Sequence, residues 1–384
     1  MATIISLSVA TENKQSKKVK IEMDIQSVDP NFKLSSITRS DIEWHDARES
    51  VFSLHGVFFD EPTHEFIRMP VDVAKSVSGD VRWLSRMTAG GRLRFKTDSP
   101  FVAVQCVAPC IAPMNHMPLT GSHGLSLFVN GVYKSMYSPD YGVIMRAIEG
   151  KSNVFAFEGL RETYDTGMQD CMLCFPLYGG VADLKIGIQK GCVIKEAKPY
   201  KYAKPIAVYG SSITQGGCAS YAGSDYVGLL SQWLDFDYVN LGFSGNGKAE
   251  PNMREYLANM QASAYLLDYD YNAPNAEYLR NTHYVLYDEI RKKNPNAPIV
   301  LISKPDFDYD PESAERRDII LETYTKARAQ GDRLVWFIDG EKMYGSFEKN
   351  ACTVDTCHPT NLGFYRMAKY ITPVLKEVLE ILGK

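Results

Sequence analysis

The stretch Ile206-Ala207-Val208-Tyr209-Gly210-Ser211-Ser212-Ile213-Thr214 decides the fold. An apolar run of strand length passes straight into a Gly-Ser-Ser turn, which would present a hydroxyl at the C-terminal end of a strand. In an α/β fold that end of the sheet is where chemistry collects. Further strands follow at Tyr238 to Leu241, Tyr265 to Leu267, Ile299 to Ile302 and Leu334 to Ile338. Helical stretches near 224–234, 276–293, 313–329 and 361–381 alternate with them. Such alternation predicts an α/β unit with a five-stranded parallel sheet, covered by helices on both faces through right-handed crossovers.

Working outward toward the N-terminus, the rhythm changes. Val19-Ile21-Met23-Ile25, Leu93-Phe95, Val102-Val104-Cys106, Leu125-Leu127-Val129 and Leu184-Ile186-Ile188 alternate with period two. Gly, Pro and Asn punctuate them, and Asn130-Gly131 is a hairpin signal. This predicts an all-β sandwich, with one short helix over 71–84 and Leu184 to Ile188 closing the series. The Lys-, Pro- and Tyr-rich segment from Lys195 to Pro205 reads as the boundary, giving domains 1–203 and 204–384, with the first 15 or so residues extended.

Composition narrows the partners. The chain has 384 residues, 45% apolar and 23% charged, with a formal net charge of -4, so it offers no basic field for a phosphate backbone. Nucleic acid is not expected as a partner. No apolar run approaches the ~20 residues needed to span a bilayer, so no membrane partner is expected. Ile4 to Ala10 is apolar but lacks a preceding basic residue and makes a poor secretory signal; it is a strand, or the chain lacks its leader. Neither the compartment nor the oligomeric state is legible. Of eight cysteines, Cys171-Met172-Leu173-Cys174 has the nearest metal-like spacing, yet it lies in a strand with no second pair. Buried free thiols are expected. Cys218 and Cys357 flank the two reactive segments and should lie near each other, where a bond could form in an oxidising compartment.

A serine hydroxyl needs a base to take its proton and donors to hold an oxyanion. Asp355-Thr356-Cys357-His358-Pro359 supplies an imidazole and a carboxylate three residues apart, on one side of an expected helical turn. Asn240-Leu241-Gly242-Phe243-Ser244-Gly245-Asn246-Gly247 follows the second strand, and Asp268-Tyr269-Asp270-Tyr271-Asn272 ends the third. Ser212 N–H, Gly245 N–H and the Asn272 amide are the expected oxyanion donors. The residues therefore read as a serine hydrolase with Ser212 as nucleophile, His358 as base and Asp355 as orienting acid, requiring no metal or organic cofactor.

In order and residue type these segments resemble the SGNH hydrolases, or GDSL-like lipase/esterase family, from about Pro205 to the C-terminus. The resemblance implies a three-layer, flavodoxin-like catalytic domain. Gly210-Ser211-Ser212-Ile213 stands where the family has Gly-Asp-Ser-Leu, and Ala273 follows Asn272 where many members have Asp. The Ser-Ser form is similar to a subgroup carrying a jelly-roll sandwich ahead of the catalytic domain. Trp83-Leu84-Ser85-Arg86 and Gly90-Gly91-Arg92-Leu93-Arg94-Phe95 resemble its N-terminal region. For such a member the expected substrate is a small acyl ester or acylated saccharide, most often O-acetyl, and relatives are often exported. Two alternatives stay open: a glycan-binding module with a vestigial hydrolase half, and a lipase or acyltransferase using the same triad.

Other residues carry blander expectations. His45, His55, His64, His116, His123 and His283 lack metal-like spacing and are expected to be structural or surface residues. Trp44, Trp83, Trp233 and Trp336 suggest sugar platforms, but Trp233 and Trp336 are expected in the core, with Trp83 undecided. Asp225, Asp268, Asp270 and Asp306 lack the dense ligand loop of an EF-hand and read as strand-end polars, Asp270 lining the cleft.

Overall fold

Strands buried on both faces need parallel neighbours and helical cover, and the C-terminal half of this computed structural model supplies both. The structure describes residues 37–305 and 310–383. Its parallel sheet contains β1 (Ile206–Gly210), β2 (Tyr238–Gly242), β3 (Ala264–Asp268), β4 (Ile299–Ile302) and β5 (Val335–Ile338). The spatial order is β2-β1-β3-β4-β5, the flavodoxin-like arrangement. Every residue of β1 and β3 is buried, which is why both appear in the sequence as unbroken apolar runs. The order reverses between β1 and β3, so the crevice at their C-terminal ends is where such a sheet receives a ligand.

Among the described residues six α-helices accompany these strands: α1 (Ser212–Gln215), α2 (Tyr226–Leu234), α3 (Pro251–Asn259), α4 (Ala276–Lys293), α5 (Ser313–Ala329) and α6 (Asn361–Leu382). The sequence reading missed α3, whose buried side is thin, consisting of Met253, Leu257 and Ala258. None of the described helices is long and apolar enough to cross a membrane.

The N-terminal part is an antiparallel β-rich domain whose described residues form two larger sheets and a two-stranded hairpin of Phe58–Asp60 with Glu65–Ile67. One of the larger sheets runs Ile42–Asp46, Asp183–Gln189, Phe101–Pro109, Val154–Glu162. The other runs Ile194–Glu196, Arg92–Thr97, Gln169–Cys174, Leu125–Val129, Val132–Tyr137, with Ser53–His55 also against Arg92–Thr97. Asn130 and Gly131 turn the hairpin with φ of 51° and 77°, the pair of positive values a two-residue primed turn requires.

Three expectations need correction. The strand series does not close at Ile188, because Ile194–Glu196 adds an edge beyond it. The helix over 71–84 is two helices, Val71–Val77 and Gly79–Leu84, broken at Ser78, whose extended backbone and Oγ cap the second by accepting from Val81 N–H. Two further helices, Leu119–Ser122 and Tyr141–Glu149, were not anticipated; the first is a single turn and the second, though amphipathic, has only nine residues and buries only Ile144. Met1 to Ala10 and the alternation from Val19 to Ile25 lie outside the described residues.

The main buried cluster does not stop at the sandwich. Met69, Ala74, Val81, Leu84 and Met87 belong to the same cluster as Ile206, Tyr238 and Leu241.

Candidate active site

Gly210 ends β1 at a point where a Cβ would lie 2.0 Å from Thr214 Oγ1 and 2.3 Å from the Asp268 carbonyl oxygen. Lacking one, the chain turns directly into α1. Ser211 caps that helix, its Oγ accepting from Ile213 N–H at 3.2 Å, so the residue standing in place of the usual Asp acts as an ordinary helix cap. Ser212 opens α1 and is 7% exposed.

The sequence expected Asp355 and His358 on a helical turn; instead they occupy an irregular loop. Thr356 is left-handed, with φ of 67°, which ends any helical path. Asp355 Oδ1 accepts from the N–H groups of Cys357 (3.2 Å) and His358 (2.7 Å), an Asx-type closure. Its Oδ2 lies 2.8 Å from His358 Nδ1. Burial works to raise the Asp355 carboxyl, but the His358 N–H and ring together with the Cys357 N–H outweigh it and hold the group below its ordinary value. An ionised carboxylate only accepts, so Nδ1 carries the proton and Nε2 of the neutral ring is the acceptor. Ser212 Oγ lies 2.9 Å from that nitrogen. The structure thus brings Ser212, His358 and Asp355 into one hydrogen-bonded row.

The three expected oxyanion donors follow β1, β2 and β3, Ser212 at the start of α1, Gly245 in the loop after β2 and Asn272 in a 3-10 turn after β3. Among the described residues no hydrogen bond occupies the N–H of Ser212 or Gly245. Gly245 takes φ of 68°, a left-handed conformation natural to glycine, with open space where a Cβ would project. Asn272 Oδ1 accepts from Gly247 N–H at 3.1 Å, leaving its Nδ2 end as the available donor.

No sequence motif marks the residues that brace this site. Arg68 is fully buried without a carboxylate partner among the described residues, and burial pushes its pKa down to about 9, still charged at neutral pH. Its guanidinium donates to the carbonyls of Asn240 (2.9 Å) and Gly242 (2.8 Å), fixing the end of β2 just before the Gly245 loop. Gln215 accepts from Ser244 N–H at 3.0 Å and donates to Leu177 O at 3.1 Å. Tyr178 donates to Ser212 O at 3.3 Å. His116, reaching in from the sandwich, sets its ring 5.3 Å from that of His358 and its Nε2 3.9 Å from Asp355 Oδ2.

Other expectations fare variously. His123 and His283 are buried, and burial lowers their pKa values to about 4 and about 3, which makes them neutral packing groups. His55 joins the halves by bonding Asp237 at 2.9 Å. Asp270 does not line the cleft: it is fully buried and accepts from Lys304 N–H at 3.0 Å. Asp225 caps α2 rather than ending a strand. Asp306 lies outside the described residues. Trp233 is not core but 43% exposed, against Tyr365, whereas Trp336 and Trp83 pack partly buried on the main cluster. None of the eight cysteines forms a disulfide, Cys218 and Cys357 included. A cleft of about 810 Å³, lined by residues such as Phe337, Tyr344, Phe347 and Arg366, lies apart from this row and includes none of Ser212, Asp355 and His358.

A 2-1-3-4-5 sheet with this row at its C-terminal edge, preceded by an antiparallel β-rich domain, defines an ester hydrolase of the SGNH class. Residues 203–376 match the GDSL-like lipase/acylhydrolase family, and residues 42–194 match the N-terminus of SGNH-hydrolase-type esterases. The chain is similar to a Bacteroides ovatus protein described as a GDSL-like lipase, at 25% identity and TM-score 0.76, covering 88% of this chain and 98% of that one. It shares its fold with the salicylyl-acyltransferase of a tetracycline biosynthetic pathway, at 19% identity and TM-score 0.71 over 89% and 99% of the two chains. It also shares it with a family two carbohydrate esterase from Clostridium thermocellum in complex with cellohexaose, at 14% identity and TM-score 0.60 over 86% and 99%. No curated protein matches the chain.

Proposed function

We propose that the protein removes short acyl groups, O-acetyl foremost, from carbohydrate through an acyl-enzyme on Ser212. The observation carrying this reading is the unbroken row from Ser212 Oγ through the His358 ring to Asp355, with contacts of 2.9 and 2.8 Å. Ser212 Oγ attacks the ester carbonyl as its proton passes to His358 Nε2, and Asp355 stabilises the resulting imidazolium. Ser212 N–H, Gly245 N–H and the Asn272 amide hold the oxyanion. The imidazolium then gives its proton to the departing sugar hydroxyl, and water, deprotonated by the same ring, releases the acid. The saccharide part of the reading draws on the carbohydrate esterase that shares both halves of the architecture.

Hydrolysis of p-nitrophenyl acetate tests the nucleophile. Ser212→Ala is expected to lower kcat by about a thousandfold or more, with a small residue of catalysis from the oxyanion donors. Equal rates in the two proteins would refute the assignment. A fluorophosphonate should label wild type and not the variant; an unlabelled wild type would favour a vestigial site. Faster turnover of long-chain than of acetyl esters would replace the deacetylase by a lipase-like enzyme, and acyl transfer to an added alcohol in preference to water would make it a transferase.

A further inference from the structure

His116, Cys218 and His358 come from three separate segments, yet each brings a metal-ligating atom to within 4.8 Å of the other two. His116 lies in the sandwich loop between Phe101–Pro109 and Leu119–Ser122, Cys218 follows α1, and His358 belongs to the loop before α6. The His116 side chain is 35% exposed, which leaves the cluster open to solvent from one side. Cys218 itself is held in a left-handed backbone with φ of 75°, in the loop that leaves α1.

We propose that His116, Cys218 and His358 form a site for a thiophilic divalent cation of the zinc class, and that filling it switches the esterase off. Two imidazole nitrogens and one sulfur are the donor set such borderline-soft ions prefer, while calcium and magnesium take oxygen. Tetrahedral bonds of about 2.0–2.3 Å separate ligand atoms by roughly 3.5 Å. The observed spread therefore closes with side-chain movements of roughly 1 Å. On binding, the Cys218 thiol loses its proton to solvent and the metal takes the sulfur lone pair, with water completing the fourth position.

Inhibition follows from His358 having no ring nitrogen to spare. Nε2 faces Ser212 Oγ at 2.9 Å and Nδ1 faces Asp355 Oδ2 at 2.8 Å. Whichever nitrogen the metal takes, one bond of the row is lost, and with it either the base or its orientation. The site itself stands on geometry alone, whereas its inhibitory effect rests on the esterase reading above, so the test separates the two.

Chelator-treated full-length protein is titrated with cobalt(II) chloride as a spectroscopic stand-in for zinc. The expected result is a near-ultraviolet thiolate-to-cobalt charge-transfer band with the strong visible absorption of tetrahedral cobalt. Cys218→Ser should abolish the charge-transfer band, Cys357→Ser should retain it, and His116→Ala should weaken cobalt affinity about tenfold or more. In parallel, zinc chloride should inhibit p-nitrophenyl acetate hydrolysis reversibly by EDTA. With rates normalised to each protein's own zinc-free rate, Cys218→Ser and His116→Ala should raise the half-inhibiting zinc concentration about tenfold or more. No thiolate band, a band that depends on Cys357 instead, or inhibition that Cys218→Ser does not shift would overturn the proposal. A band in a protein that hydrolyses no ester would uphold the site and overturn the esterase reading.

Discussion

Asp355 meets two backbone N–H groups with one oxygen and the His358 ring with the other. That set of donors holds its pKa below 3.8 against the opposing effect of burial. Asp355→Asn keeps the shape but removes the charge that selects the ring tautomer, so kcat should fall by about a thousandfold to ten-thousandfold. Stability supplies an independent check. Because the folded-state pKa is depressed, the carboxylate's contribution is fully present above about 3.8 and is lost as pH falls through the folded value. The melting-temperature gap between wild type and Asp355→Asn should therefore be open at neutral pH and close in strong acid. A gap independent of pH would mean that the charge of Asp355 plays no part in it. Ser212, His358 and Asp355 were legible in the sequence because each lies in a short motif whose chemistry is local. His116, Arg68 and Tyr178 were not, since each acts on a partner more than thirty positions away and none belongs to a periodic pattern. Even Asp-x-x-His was read with the wrong backbone, because nothing in the spacing foretells the left-handed Thr356.

Asp268 shows what the end of an element can hold. As the last residue of β3 it is fully buried, and its Oδ2 accepts from Thr214 Oγ1 at 3.1 Å and from the Tyr226 hydroxyl at 3.0 Å, tying β3 to α1 and α2. Burial first, then the nearby Asp270, push its pKa well above 3.8, and the two hydroxyl donors only partly offset them. Here the sign reverses. Between 3.8 and the folded value the unfolded chain has lost its proton while the folded chain keeps it, so stability falls as pH rises across that window. Asp268→Asn carries no charge to bury, so its stability relative to wild type should improve as pH climbs from about 4 toward 8, as read from urea midpoints. A relative stability that stays flat or falls would show that Asp268 is ionised in the fold. The elements themselves were mostly legible. Parallel strands buried on both faces announce themselves as apolar runs, and α4 and α6 carry a helical period, whereas α5 carries almost none and is marked by its length between two strands. Pro251–Asn259 buries few side chains, and Tyr141–Glu149, though amphipathic, is only nine residues long among strands.

At the scale of the whole molecule, the two halves are tied through the edge strand next to the one that leads into Ser212. Arg68 donates to carbonyls of β2, and Arg92 donates to Tyr238 O at 3.0 Å and pairs with Asp237, which also bonds His55. Asn252 at the start of α3 donates to Ser76 O at 2.6 Å, and Thr120 donates to Ser220 O just beyond α1. Apolar residues of the helices at Val71–Val77 and Gly79–Leu84 complete the same buried cluster as β1 and β2. Cutting the chain at 203, where the sequence reading places the boundary, would expose that shared core and strand the β2 carbonyls that Arg68 satisfies. Each buried carbonyl left without a donor costs about 1–3 kcal/mol, against a total stability of about 5–15 kcal/mol for an ordinary domain. Residues 204–384 alone should therefore be insoluble or molten, and the intact chain should melt in one calorimetric transition instead of two. A soluble, folded fragment that hydrolyses p-nitrophenyl acetate at the full-length rate would show that the sandwich is an appendage. The expected failure would instead make it half of the active-site scaffold, since Arg68, which fixes the strand end before the Gly245 loop, and Tyr178, which holds the backbone of Ser212, come from its side of the cut.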